Sequence, residues 1–217
     1  MDLITTHLNA DFDGLASMVA ARKLYPDAVL VFPGGAQESV RNFLAEHDQS
    51  ISRLKDVPLE QVHRLILVDV QEPERIGPLK VLSERKDLHV HIFDHHGQGE
   101  GSERSAWPSV AERHIEPVGA TVTLLIERLN ARQVALTADE ATVLAIGLYE
   151  ETGSLAYLGP AGTFSEYYAD MDQITEDDLW KPEVCEGKSG LYSWGPSVPE
   201  GFMPPSDIAE LIAAQAS

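Results

Sequence analysis

The chain has 217 residues, 43% of them hydrophobic, enough for one full domain or for a domain of about 150 residues with a smaller appendage. Its formal net charge of −19 argues against broad adhesion to a nucleic-acid backbone or an anionic lipid surface, and no run approaches the roughly 18 apolar residues of a membrane span. A single cysteine, Cys185, excludes an intrachain disulfide and a cysteine-cluster zinc site; with no secretory pattern at the N-terminus, the cytoplasm is the expected location.

In chain order, Leu3-Ile4-Thr5-Thr6 is a short apolar, partly β-branched run that leads into His7, and it reads as a first strand. Leu15 to Leu24 reads as helix ending before Pro26, and Ala28 to Phe32 as a second strand followed by a Pro33-Gly34-Gly35 turn. Val40, Phe43 and Leu44 recur at helical spacing within an amphipathic helix over 37–47. Strand 65–69 closes on Asp69, a helix is expected from about Glu74 to Arg85, and strand 88–93 leads into Asp94. Residues 97–112, rich in Gly, Ser and charge, read as a loop. Helices are expected over 119–129 and 138–149, the second with Thr137 and Glu140 as a capping box. Alternation of this kind predicts a doubly wound α/β domain with a mainly parallel sheet and helices on both faces, over residues 1–157.

From residue 158 the texture changes. Residues 158–217 carry 11 acidic against 2 basic side chains, close to half of the net charge on little over a quarter of the length, with Gly and Pro throughout. An irregular, partly disordered acidic tail is expected there, with only Ile208 to Ala216 compatible with a helix.

The runs that end in His7, Asp69 and Asp94-His95-His96 carry the chemistry. In an open parallel sheet the carboxyl ends of the strands form the crevice where ligands bind, so separate strands deliver several potential metal ligands to one edge. His7-x-x-x-Asp11-x-Asp13 adds two carboxylates at a strand-to-helix turn, where alternate side chains point the same way. Carboxylate and imidazole donors without thiolate suit Mn²⁺, with Mg²⁺, Fe²⁺ or Co²⁺ less favoured. Two ions about 3.5–4 Å apart, sharing a carboxylate and an attacking water, are the standard apparatus for displacement at phosphorus. Taken singly, each motif has a plainer explanation. Asp-x-Asp is commonly a helix cap, His89 and His91 are packing residues on a strand, and Thr121 serves equally as a cap or as a phosphate contact at a helix start.

The four motifs together resemble the DHH phosphoesterases, a family that includes RecJ-type exonucleases, oligoribonucleases and cyclic-dinucleotide phosphodiesterases. His7 to Gly14 matches the first motif, Val68-Asp69 the second, Asp94-His95-His96 the third and Gly147 to Ser154 the fourth. Glu116 to Thr121 fits the segment before the helix. Leu24 to Gly34 is most similar to a narrower group, in which a DHH domain precedes CBS domains and a tRNA nucleotidyltransferase-like domain. The resemblance implies one ion on His7, Asp11 and Asp69 and a second on Asp13, Asp69, His95 and Glu151. It implies that His96 contacts the scissile phosphate or assists proton transfer, and that Asp94 orients the histidines. A small nucleotide or oligonucleotide substrate is implied, without stable binding of duplex nucleic acid or membrane. Glu151 stands where the family carries Asp. Nothing after residue 157 resembles the family's substrate-binding domain, so a weakly active or inactive metal- and nucleotide-binding domain is the competing expectation. An acidic interaction module, supported by charge alone, is a third.

Overall fold

The structure, a computed structural model, describes residues 1–96, 107 and 109–152. The acidic tail expected over 158–217, with its helix at Ile208 to Ala216, and most of the loop expected from residue 97 lie outside the described residues.

Five strands, β1 (Asp2–Thr5), β2 (Val29–Leu30), β3 (Arg64–Val68), β4 (His89–Asp94) and β5 (Val110–Ile115), form one sheet in the order β2-β1-β3-β4-β5. Every pairing is parallel. The helices are α1 (Phe12–Leu24), α2 (Glu38–Glu46), α3 (Thr121–Ala131) and α4 (Ala138–Glu151). The α/β class and the parallel sheet are as expected from sequence. Side chains alternate between two buried faces, which is why the strands read as unbroken apolar runs. Ile4, Ile66, Val68 and Phe93 pack with α1, α3 and α4. Leu3, Leu65, Leu67, Val90 and Ile92 form the second face.

That second face departs from the expected helix over 74–85. It is covered by Val57, Val62, Ile76, Leu79 and Leu82 from short 3₁₀ turns, including those of Pro73–Glu84. Gly77, at φ +51, breaks the α conformation, and Pro78 removes an amide donor where a helix would need one. Residues 110–112, expected as loop, begin the edge strand β5. Its Ala-Glu-Arg-His stretch carries the charge that blunts an open sheet edge and masks the apolar alternation of a strand.

The strand order reverses at β1, whose neighbours are β2 on one side and β3 on the other. The carboxyl ends of β1 and β3 flank that switch point, where open α/β sheets place their ligand crevice. Helix α1 lies directly beneath it, buried from Phe12 to Ala21. Its small residues admit α4 at very close range, since a Cβ on Gly147 would stand 2.4 Å from Ala16 Cβ and 2.8 Å from the Phe12 carbonyl oxygen. Gly147→Ala is therefore expected to lower stability by about 1–3 kcal/mol through overpacking, read by urea unfolding; an unchanged midpoint would show that α1 and α4 are not in rigid contact.

Candidate metal centre

The loop after β1 carries His7, and α1 begins with Asp11 as its N-cap, whose side chain accepts the Gly14 amide at 3.0 Å. Asp69 follows β3 directly and sits at φ +58, a left-handed conformation that Asp tolerates better than most side chains. Its amide donates to the Phe93 carbonyl, so the next strand holds the turn. Asp94 ends β4, and His95 and His96 follow it.

Two clusters meet at Asp69. His7, Asp11 and Asp69 bring one ligand atom each within 4.8 Å of one another, and so do Asp69, His95 and His96. In the first cluster, His7 Nε2 lies 3.4 Å from Asp11 Oδ2 and 3.3 Å from Asp69 Oδ2. In the second, His95 Nε2 lies 3.6 Å from Asp69 Oδ1, 3.5 Å from Glu151 Oε1 and 3.9 Å from Asp13 Oδ2. Each ring is turned by its other nitrogen: His7 Nδ1–H donates to the Leu8 carbonyl at 2.8 Å and His95 Nδ1–H to the Val118 carbonyl at 3.1 Å. The Nε2 atoms therefore point at carboxylates. Among the described residues His95 Nε2 is buried without a hydrogen-bond partner. An imidazole lone pair aimed at three carboxylates is costly by itself and suits a cation lying between them.

Asp94 stands behind His96. Its Oδ1 accepts the His96 amide at 2.9 Å and His96 Nδ1–H at 2.7 Å, whereas His95 takes its orientation from Val118. Gln71 Nε2 donates to the His96 carbonyl at 2.9 Å. Asp13 caps a helix other than its own: its oxygens accept the Thr121 amide at 2.7 Å and the Val122 amide at 2.9 Å. A carboxylate has lone pairs for further bonds, so this role leaves Asp13 able to ligate.

Sequence reasoning gave Thr121 a capping role or a phosphate contact; the structure shows no side-chain cap bond there. Ala120 is the N-cap of α3 and makes no side-chain cap bond. Thr121 Oγ1 instead donates to Asp69 Oδ1 at 2.9 Å and accepts the His95 amide at 3.2 Å. It touches both strand-end ligands while its own amide holds Asp13. In the sequence it was marked by its place at a predicted helix start and by the family-like segment Glu116 to Thr121.

The electrostatics are those of a site short of positive charge. Burial disfavours a charged His7, yet its hydrogen bonds to Asp11 and Asp69 outweigh that and raise its pKa to about 10. Burial would raise Asp11, but hydrogen bonds from His7 and the Gly14 amide hold it below its ordinary value. Burial, then the charge of Asp69, pushes Asp13 well upward. Burial and the charges of Asp69 and Asp11 bring Glu151 to about 7. The hydrogen bond to Asp94 raises His96 against the opposing effect of burial.

The family model described as the N-terminal domain of the DHH family matches residues 3–148. The chain belongs to the DHH family. It is 42% identical over 172 residues to an A-adding tRNA nucleotidyltransferase of Geobacter sulfurreducens, covering 78% of this chain and 19% of that protein. It is 30% identical over 151 residues to the enzyme of the same name from Aquifex aeolicus, covering 69% of this chain and 16% of that one. The chain thus spans under a fifth of the length of these relatives. A solved exopolyphosphatase-related protein from Bacteroides fragilis superposes with a TM-score of 0.62 over 82% of this chain and 54% of its own, at 15% identity, a likeness of fold. Among the described residues no helix is long and apolar enough to cross a membrane.

Thr121→Val should weaken Mn²⁺ affinity about 10–100-fold, as is usual for a residue that orients metal ligands, while Thr121→Ser should restore it; calorimetric titration reads both, and equal affinities would remove Thr121 from the site. A pH effect follows as well. Glu151 and His7 have pKa values raised on folding, so their stabilisation is complete below the ordinary values. It is lost as pH rises, from 4.5 to about 7 for Glu151 and from 6.5 to about 10 for His7. The melting temperature of cation-free protein is expected to fall between about pH 6 and pH 9, with added Mn²⁺ raising it more at the alkaline end, because protons and cations compete for the same side chains. Scanning calorimetry across that range would count against this balance if the added cation gave the same increment throughout.

Proposed function

We propose that this domain is a metal-dependent phosphoesterase that hydrolyses a phosphodiester or phosphoanhydride bond of a small nucleotide or short oligonucleotide. The observation that carries the reading is His95 Nε2, buried, without a hydrogen-bond partner among the described residues and aimed at Asp69, Asp13 and Glu151. One cation would be held by His7, Asp11 and Asp69, the other by Asp69, Asp13, His95 and Glu151. The donor set favours Mn²⁺, with Mg²⁺ or Co²⁺ as substitutes. When bound, such cations act as Lewis acids that polarise phosphoryl oxygens and lower the pKa of water.

The chain's own groups contribute orientation and proton supply. His96 is tethered through Nδ1–H to Asp94, which sustains positive charge on the ring, and on this 48% exposed side chain Nε2–H makes no hydrogen bond among the described residues. That proton is available to a non-bridging phosphoryl oxygen, or to the departing oxygen as its bond to phosphorus breaks. Gln71 fixes the His96 backbone, and Thr121 keeps Asp69 and His95 in register. Glu151, one methylene longer than the Asp of the family pattern, still brings Oε1 to 3.5 Å from His95 Nε2.

A second reading, a metal- and nucleotide-binding domain without turnover, is favoured by Glu151, which stands where the family pattern has Asp. The tRNA activity in the relatives' name belongs to far longer proteins and is not part of the proposal. Purified protein with Mn²⁺ is expected to release nitrophenolate from bis-nitrophenyl phosphate, and Asp69→Asn to abolish the release. Activity that survives in Asp69→Asn would sink the phosphoesterase reading; calorimetric Mn²⁺ binding without any release would favour the second one.

A further inference from the structure

Beside the metal centre, at the carboxyl end of β2, lies an open cleft of about 680 Å³. One wall is the loop from Phe32 to Ala36, another is the Arg41, Leu44 and Ala45 side of α2, and the third is the segment from Asp48 to Leu54. The first wall is joined to the ligand loop: the Ala10 amide donates to the Gly35 carbonyl at 3.2 Å, and the Gln37 amide donates to the Ala10 carbonyl at 2.8 Å. Ala10 immediately precedes Asp11. Leu8, adjacent to His7 and 43% exposed, lies over Gly34, where a Cβ would meet its Cδ2 at 2.6 Å. The segment that carries His7 and Asp11 is thus bonded directly to one wall of this cleft.

The lining is of two kinds. Phe32, Leu44, Ile51 and Leu54 give an apolar interior with one aromatic ring, suited to the flat face of a base. Arg41, on an exposed stretch of α2, bonds through Nη1 to the Ala36 carbonyl and has no carboxylate within 4.0 Å among the described residues. In a chain this acidic, an unneutralised guanidinium over a cleft marks a place for an anion. Arg53 is different, since its Nε already bonds Asp56 at 2.7 Å. Asp48 puts a carboxylate on the same lining, unfavourable to a dense polyanion and able to accept from a sugar hydroxyl or base amine.

We propose that this cleft is a nucleoside monophosphate subsite, with the base between Phe32 and Leu44 and the phosphate on Arg41. The proposal rests on the metal-centre reading for its place in catalysis: it makes the substrate class a nucleotide ester with a nucleoside beside the scissile phosphate, not an inorganic polyphosphate. Occupancy of the cleft does not itself need a cation, which separates the two ideas experimentally.

The full chain in excess chelator is titrated with adenosine 5′-monophosphate by calorimetry, and separately with tripolyphosphate. Binding of the nucleotide is expected, weakened about tenfold or more by Arg41→Ala and blocked by Ala45→Trp, which fills the cleft, with both variants checked for an unchanged melting temperature. Tripolyphosphate is expected not to compete. Nucleotide binding that both variants leave intact, no nucleotide binding at all, or displacement by tripolyphosphate would each overturn the subsite. Release of nitrophenolate from bis-nitrophenyl phosphate by the unaltered chain reports on the metal centre alone, so either idea can fail while the other stands.

Discussion

The carboxylate of Asp13 reaches from the first turn of α1 to the amide groups that open α3, and the rest of the site depends on that bond. The first amides of a helix have no partner within the helix, and the end carries partial positive charge, so both offset part of the cost of burying a carboxylate there. Through this contact two helices that follow different strands are fixed to one another at the sheet edge. Thr121 lies at the junction, and its hydroxyl extends the connection to Asp69 and to the His95 backbone. Candidate ligands from β1, β3 and β4 thereby share one network of hydrogen bonds. Preorganisation of this kind is what a cation site needs, because side chains that repel one another do not assemble unaided.

The same network explains the electrostatic character of the centre. Asp11, Asp13, Asp69 and Glu151 converge on a small, largely buried volume, and the amides and histidines around them supply only part of the compensating charge. In its cation-free form the site favours holding protons, on His7, Asp13 and Glu151. Cations and protons are alternatives for the same electrostatic demand. The small residues below, with Ala16 against Gly147, let α4 lie close enough to α1 to place Glu151 in this group.

Much of this was legible because of where the apolar runs stop. His7, Asp69 and Asp94 each follow a run that the parallel sheet buries on both faces, and burial on both faces leaves an uninterrupted apolar pattern in sequence. The four ordered motifs gave the family, and Thr137 with Glu140 gave a capping box that the structure contains. The covering of the second sheet face was not legible in the same way. Pro73–Glu84 has the residue types of a helix, and the turn at Gly77 decides otherwise. Edge strand β5 was hidden by its charge, since an edge has one hydrogen-bonding side and exposed side chains.

Chemical identity was determined by the sequence: imidazole and carboxylate donors without thiolate, spaced so that each falls at a strand end or a helix start. Fold class came with it, because strand and helix periods differ and the two alternate. Tertiary structure alone decided which nitrogen of His95 faces the carboxylates, since that depends on the Val118 carbonyl, far from it in the chain. It also decided that Asp13 caps α3, that Thr121 bridges Asp69 and His95, and that Arg41 overlooks an apolar cleft. These are contacts between segments far apart in sequence, and local pattern carries no information about the distance at which two folded segments finally come to rest.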